Sequence, residues 1–365
     1  MKATLYRADL RYPHLQLHTA SSGTITGLDT LYLLLEEKNF NGIGEVRINI
    51  AYLNGYSAEL VLSDVIRALR MLDLSQPAST LLLNLPALLA DFLAPTRMLI
   101  DIALHDLIAR QNGLSVAELA GAENAETVSY YTNQTLFWTP MDEMLEQATA
   151  YVERGFTQLK LRVGVASFAE DEARLSALRR RFGHEIRLSA DANGQWQPEE
   201  ARSHLLALAK FEMSYLEQPV SDANAHFYPA LAAASPVPLM LDESMSSEAD
   251  LERILQLEGK IMAHLKLVKM GGIAPTLAAA KRLTAAGVPF MIGQMNEGGA
   301  ATAAALHVAR ASQPRYAELY GADGLGNDPV HGLSYHQGML SSPSGAGLGI
   351  SFTPSQAEFI QEFAQ

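Results

Sequence analysis

No cysteine occurs among the 365 residues. That absence excludes disulfides, thiolate metal sites and a cysteine nucleophile, and it leaves oxygen and nitrogen donors for any metal. Basic charge is scarce as well: 27 Lys and Arg stand against 40 Asp and Glu, for a net charge of -13. Neutralising nucleic-acid phosphates needs clustered Lys and Arg, and no such patch is visible, so a nucleic-acid partner is not expected. Long apolar runs are missing too. No segment approaches the roughly 18 uncharged apolar residues of a transmembrane helix. The opening stretch MKATLYRADLRYPHLQLH has no continuous apolar run of the kind that marks a secretion signal. A cytoplasmic protein without a membrane partner is the expectation.

What is present is ordinary globular material, 48% hydrophobic and 18% charged, long enough for one barrel-sized domain and a smaller one. From about residue 126 short apolar runs alternate with amphipathic segments: VSYYTNQTL, QLKLRV, IRLSADAN, SYLEQP, PLMLDES, MAHLKLVKMGG, PFMIGQM and RYAELYGAD. Their spacing of roughly 25 to 30 residues is the length of a βα unit. Eight such units close a barrel over 126–340. Residues 1–125 read as an α+β domain, with strand-like ATLYRADL, TLYLLLEE and FNGIGEVRI followed by helical AELVLSDVIRALRML and TRMLIDIALHDLIARQNG. The segment 341–365 is rich in Ser, Gly and Pro, ends in a short helical pattern, and is expected to pack back on the N-terminal domain.

Within QLKLRVG, Lys160 and Arg162 are two residues apart, so a strand turns both to one face. Asp191 in SADAN, Glu217 in YLEQP and Asp242 in LDES each end one of three consecutive expected strands. In a (β/α)8 barrel the strand C-termini converge on the active-site face, so these three acids would meet there. Converging carboxylates repel unless a cation sits among them, and oxygen donors favour Mg2+. Each acid alone could instead be a helix cap or a solvated loop residue. In HLKLVKMGG, Lys266 and Lys269 should face opposite ways if the strand persists, leaving one of them at the barrel mouth.

These residues, in this order, resemble the enolase superfamily, most closely its muconate-lactonizing-enzyme subgroup. The resemblance implies an α/β fold, a modified TIM (β/α)7-8 barrel with an N-terminal α+β capping domain. It places the subgroup's K-x-K on Lys160 and position 162, its Mg2+ ligands on Asp191, Glu217 and Asp242, and its sixth-strand lysine on Lys266 ahead of KMGG. It also implies a homo-oligomer, a small carboxylate substrate, and removal of the proton α to that carboxylate, with the metal and nearby cations stabilising the enediolate. Lys160 and Arg162 would form one cationic wall and Lys266 the opposite one. Clustered positive charge would lower the Lys266 pKa and make it a competent base.

The chain departs from the subgroup at Arg162, where a second lysine is usual. A guanidinium is effectively never deprotonated, so it holds anions and is a poor proton shuttle. Chemistry with one base, such as dehydration of a hydroxy or hydroxyamino acid, is therefore expected. The alternatives are a racemase, epimerase or cycloisomerase in which Lys160 reorients as second base, a metal-binding barrel that has lost turnover, and an aldolase-like Schiff-base lysine. Glu318 and Tyr320 in AELYGADG stand where the dipeptide epimerases have D-x-D, which counts against a dipeptide. Asn296 and Glu297 are either substrate groups or a helix cap and first-turn acid, and Asn193 in SADAN joins the substrate candidates. Two lid-like loops, HLQLHTASSGTITG and RINIAYLNGYS, offer His18, Tyr52 and Tyr56 to the substrate.

Overall fold

The computed structural model describes residues 1–15, 17–19, 22–124 and 127–364. Gln16, Ala20 and Ser21 of the first lid-like loop lie outside the described residues. The cap is built on an antiparallel four-stranded sheet in the order Glu358–Ala364, Lys2–Leu10, Leu28–Glu37, Phe40–Arg47. Helix Ala94–Asn112, buried along most of its length, lies across that sheet. Two glycines make the close approach feasible. A Cβ at Gly42 or Gly44 would overlap backbone atoms of Ala103 or Leu99, so the strand can meet the helix only where these positions carry no side chain.

The final strand corrects one expectation. Glu358–Ala364 is extended, not helical, because its backbone completes a ladder with the edge strand, Lys2 facing Ala364 and Arg7 facing Glu358. Pairing available on a sheet edge outweighs a short local helical pattern.

Among the described residues eight parallel strands form the second layer. Strand one is Gln134–Leu136, two Gln158–Arg162, three Arg187–Asp191, four Leu216–Glu217, five Leu239–Leu241, six Ile261–Lys266, seven Phe290–Gly293 and eight Tyr316–Glu318. They pair in sequential order. Strands eight and one are brought together by Asn133 N donating to Ala317 O at 3.1 Å and Leu319 N donating to Thr132 Oγ1 at 2.8 Å. Helices follow the first seven strands, whereas the chain after strand eight returns to the cap sheet. The fold is a modified TIM barrel with an N-terminal strand-rich cap.

The run VSYYTNQTL is not one strand. Val128–Tyr131 pairs antiparallel with Met339–Ser342 outside the barrel, and Gln134–Leu136 alone joins the barrel sheet. Thr132 and Asn133 sit at the break, where Thr132 N still donates to Gly338 O at 3.0 Å beside the outer sheet and Asn133 N donates to Ala317 O of strand eight at 3.1 Å.

The lower barrel interior is packed by Tyr215, Met240, Met262, Met291 and Tyr316. Above them the even strands contribute Lys160, Glu217, His264 and Glu318, a buried polar layer where a barrel normally stacks branched apolar residues. The C-terminal ends of the strands carry the rest of the site. Among the described residues no helix is long and apolar enough to cross a membrane.

Candidate active site

Barrel register brings the strand-end residues to one level: Arg162 faces Asp191, which in turn faces Glu217. Lys266 faces Gly293, which faces Glu318. Asp191, Glu217 and Asp242 are buried on strands three and four and just beyond strand five.

Each acid is met by cations. Lys160 Nζ lies 3.1 Å from Glu217 Oε2 and 3.6 Å from Asp191 Oδ2, and it also contacts Glu318 closely. Arg162 Nη1 is paired with Asp191 Oδ2 and donates to Asn193 Oδ1 at 3.2 Å. Lys266 Nζ approaches Asp242 Oδ2 at 2.7 Å, and Lys269 Nζ holds the other oxygen, Oδ1, at 2.6 Å. Strand six ends at Lys266, and the helical turn Leu267–Met270 swings Lys269 back to the same carboxylate. The two lysines therefore converge, against the expectation of opposite faces, because the strand does not persist.

The electrostatics follow from this pairing. Burial by itself would raise a carboxyl pKa, but Lys160 and His264 hold Glu217 well below the usual carboxylate range. Lys266 and Lys269 do the same for Asp242 against the effect of its burial. For Lys160, burial is outweighed by Glu217 and Glu318, which fix it as an ammonium. Lys266 also titrates higher than an ordinary lysine: burial lowers it, and Asp242, Glu217 and Glu318 more than reverse that. Clustered positive charge would lower it, as expected, but acids are its nearest neighbours among the protein's own groups.

A cavity of about 40 Å3 opens over these groups. Arg162, Asn193, Asp242 and Lys266 line it from the barrel, with Tyr320 and Asn296 beside them. Leu17, Ile25 and Leu53 from the cap cover it, together with Tyr52 and Phe137. Several candidates lie elsewhere. Lys160 has no exposed surface and sits beneath the cavity, so it is not a face of the open cationic wall. Glu318 is spent on Lys160 and on Asn133 Nδ2 at 3.1 Å. His18 Nδ1 pairs with Thr24 Oγ1 at 3.0 Å and its ring stands 6.0 Å from that of Trp138, away from the cavity lining. Tyr56 is likewise absent from the lining.

Asn296 and Glu297 do not cap the helix that follows them. Helix Gly299–Ser312 is capped from both domains: Glu45 of the cap accepts from Gly298 N at 2.6 Å, Ala300 N at 2.7 Å and Ala301 N at 3.1 Å, and Asp328, after strand eight, accepts from Gly299 N at 2.6 Å. Glu297 is buried with Oε2 accepting from Met295 N at 3.2 Å, and burial pushes its carboxyl up to about 7, partly offset by Arg47.

Three residues of the site escaped the sequence reading. Glu243 lines the cavity, with Oε1 accepting from Asn193 Nδ2 at 3.2 Å and a buried Oε2 that has no hydrogen-bond partner among the described residues. Lys269 joins Lys266 at Asp242, where a persisting strand would have turned only one of the two to the mouth. His264 shares the face of Lys266, two residues away, and the alternation rule that joined Lys160 to Arg162 would have found it.

The donor set suits a divalent cation. Glu217, Asp242 and His264 offer one ligand atom each within 4.8 Å of one another, all buried. Asp191 lies outside this trio, with Oδ2 on Arg162 and Oδ1 accepting from Asn193 N at 2.8 Å. The orphaned oxygen of Glu243 beside them is a further buried acceptor lacking a positive partner.

A family model described as enolase C-terminal domain-like matches residues 143–356. The N-succinyl-L-Arg/Lys racemase of Bacillus cereus is 30% identical over 215 residues, covering 58% of this chain and 56% of that protein, so the match spans little more than half of that relative. The L-Lys-D/L-Arg epimerase of Desulforapulum autotrophicum is 30% identical over 362 residues, 95% of this chain and 98% of its own. The crystal structure of a dipeptide epimerase from Cytophaga hutchinsonii, complexed with Mg and the dipeptide D-Ala-L-Val, superposes with a TM-score of 0.90 at 25% identity, covering 99% of this chain and 98% of that one. A match over more than half of the sequence, on a barrel whose strand ends gather these acids and lysines, makes this chain a member of the enolase superfamily.

Proposed function

We propose that this enzyme removes the proton α to the carboxylate of a small acid, with Lys266 as the base. The observation that carries this reading is the unequal placement of the three cations of strands two and six. Lys160 is sealed beneath the cavity between Glu217 and Glu318, Arg162 lines the cavity but cannot give up a proton, and Lys266 lines the cavity and could give one up once a cation among Asp242 and Glu217 offsets the acids that otherwise hold its charge.

The carboxylates Glu217, Asp242 and Asp191 would hold Mg2+, which supplies a Lewis acid for the substrate carboxylate. The Cytophaga hutchinsonii relative in complex with Mg supports that choice. The residues of this chain do the rest. Arg162 places a fixed positive charge on the wall shared with Asp191, where negative charge develops on the substrate. Lys266 takes the proton and, once charged, stays within 2.7 Å of Asp242. Leu17, Ile25, Leu53 and Phe137 exclude water and meet the part of the substrate beyond its α-carbon, which favours an uncharged apolar substituent. At the eighth strand Tyr320, not an acid, faces the cavity, so a free ammonium group finds no counter-ion there.

A single base fits elimination, such as loss of water from a hydroxy or hydroxyamino acid. A second reading, racemisation or epimerisation, is favoured by the named activities of the two relatives aligned above. One screen separates them. Carboxylic, hydroxy, hydroxyamino and N-acylamino acids are incubated with the protein and Mg2+ in D2O, and dehydration, racemisation and α-deuterium are followed. Deuterium entering one enantiomer only supports the single base, and equal entry into both overturns it. The absence of α-exchange from every acid class would overturn proton abstraction itself.

A further inference from the structure

A second cavity, of about 520 Å3, opens between cap and barrel and shares no lining residue with the one at the barrel mouth. Its volume falls in the range of small-molecule sites. Helix Ala78–Leu88 of the cap forms one wall through Leu82, Leu85 and Pro86, and helix Ile273–Ala285 of the barrel forms the other through Pro275 and Ala278. Lys269, Met270 and Gly271 lie between the walls. The cavity therefore backs onto the turn Leu267–Met270, whose N-cap is Lys266.

The walls are mostly apolar, and the charged groups of the lining are committed with one exception. Arg282 is paired with Glu248 and Glu252. Asp101 accepts from Ile273 N at 2.5 Å and faces His105 Nδ1 at 3.3 Å. Lys269 Nζ is held by Asp242 Oδ1 at 2.6 Å and His264 O at 3.1 Å. Arg97, half-buried, has no ion pair and no side-chain hydrogen bond among the described residues. A Cβ on Gly271 would come within 2.9 Å of Arg97 Nε, so the bare backbone of that glycine makes room for the guanidinium.

A guanidinium without a counter-ion in an apolar cavity fits a carboxylate, which it can meet through two parallel hydrogen bonds. The walls bury the rest of such a ligand. A dicarboxylate finds no second cation there, because Arg282 and Lys269 are already paired.

We propose that this cavity is a second ligand site, for a monocarboxylate with an aliphatic or aromatic body, and that its occupant steadies the turn that carries Lys266. Binding here does not depend on the α-proton reading above. Leu83, 81% exposed on the same cap helix, makes a second copy of the chain the rival occupant. The unpaired charge of Arg97 favours the acid.

The test titrates full-length protein with octanoate below its critical micelle concentration, by calorimetry, with octanol as the uncharged control. The variants are Arg97→Gln, which removes the cation from a residue without a protein partner, and Ala278→Phe, which fills the cavity from an exposed helix position. Wild type should bind octanoate saturably, and Arg97→Gln should weaken it about 10- to 100-fold. Ala278→Phe should abolish binding. No saturable binding overturns the proposal, and so does equal affinity for octanol or an unchanged Arg97→Gln. Hydrogen exchange gives a check that locates the ligand without any variant: octanoate should slow the amides of Gly271 and Gly272, both of which donate to Leu267 O. Protection confined to other segments overturns the site. Light scattering tests the rival, since an oligomer that Ala278→Phe dissociates would make this face a subunit interface and overturn the small-ligand reading.

Discussion

Lys160 and Glu217 face each other at 3.1 Å with no exposed surface on either side chain. His264 holds the remaining oxygen of Glu217 at 3.0 Å, so the acid is fixed from two strands, and Lys160 is fixed in turn by Glu318. A lysine so enclosed is a permanent charge within the barrel wall.

Replacing it should therefore be a stability event. Lys160→Met leaves Glu217 and Glu318 buried without their cation, at an expected cost of about 3–5 kcal/mol in urea unfolding. A loss under about 1 kcal/mol, together with loss of α-exchange for one enantiomer, would instead identify Lys160 as a second base.

Lys266→Ala should abolish turnover and α-deuterium exchange while the circular dichroism spectrum stays native, a rate loss of at least about 100-fold. Arg162→Lys should retain exchange and begin to process the opposite enantiomer, because an ammonium that can lose its proton would then face Lys266. Chiral chromatography of the recovered substrate reads the outcome. No gain of the second enantiomer would show that position 162 does not address the α-carbon.

Glu297 gives a stability window in pH. Its folded carboxyl titrates near 7 because it is buried, against an ordinary 4.5. The folded protein thus binds that proton more tightly than the unfolded chain. The contribution is complete below about 4.5 and is lost as pH rises through about 7. Wild type should lose on the order of 3 kcal/mol relative to Glu297→Gln between pH 4.5 and pH 8. Parallel urea midpoints for the two proteins across that range would contradict the assignment.

Chelation should separate activity from folding. EDTA should remove turnover and lower the unfolding midpoint only by the stabilisation that binding of the ion supplies, because Lys160, Arg162, Lys266 and Lys269 remain paired with the strand-end acids. Glu217→Gln should likewise remove turnover. Full activity after exhaustive chelation would rule out metal dependence.

Glu45 joins cap to barrel through three backbone N–H groups of the helix after strand seven. Glu45→Leu strands those donors in a buried place and should cost about 1–3 kcal/mol for each that finds no water. Denaturation of the variant measures it, and a neutral effect would mean that water replaces the carboxylate.

The sequence was most informative where one period governs. Eight apolar runs at a βα spacing announced the barrel, and alternation put Lys160 and Arg162 on a common side. It was least informative where contacts depend on closure. Nothing local says that Glu318 will meet Lys160, because that pair comes from strands brought together only when the sheet curls, or that Arg162 will meet Asp191, which depends on the register of two neighbouring strands. Strand ends were a second blind spot. Lys269 joined Asp242 because the chain turned helical at Leu267, and VSYYTNQTL divided at Thr132 because two sheets claim its halves. The capping of helix Gly299–Ser312 by Glu45 was hidden for the same reason: the cap residue lies in the other domain, far away in sequence.

The pairing of Lys2–Leu10 with Glu358–Ala364 sets an order of events during synthesis. The first strand leaves the ribosome early, yet its outer neighbour is made only after every barrel strand has been translated. Throughout elongation one edge of the cap sheet is therefore open, and the nascent cap must wait for the barrel before it can be sealed. A ribosome halted before residue 358 should display a protease-sensitive first strand beside an already formed barrel.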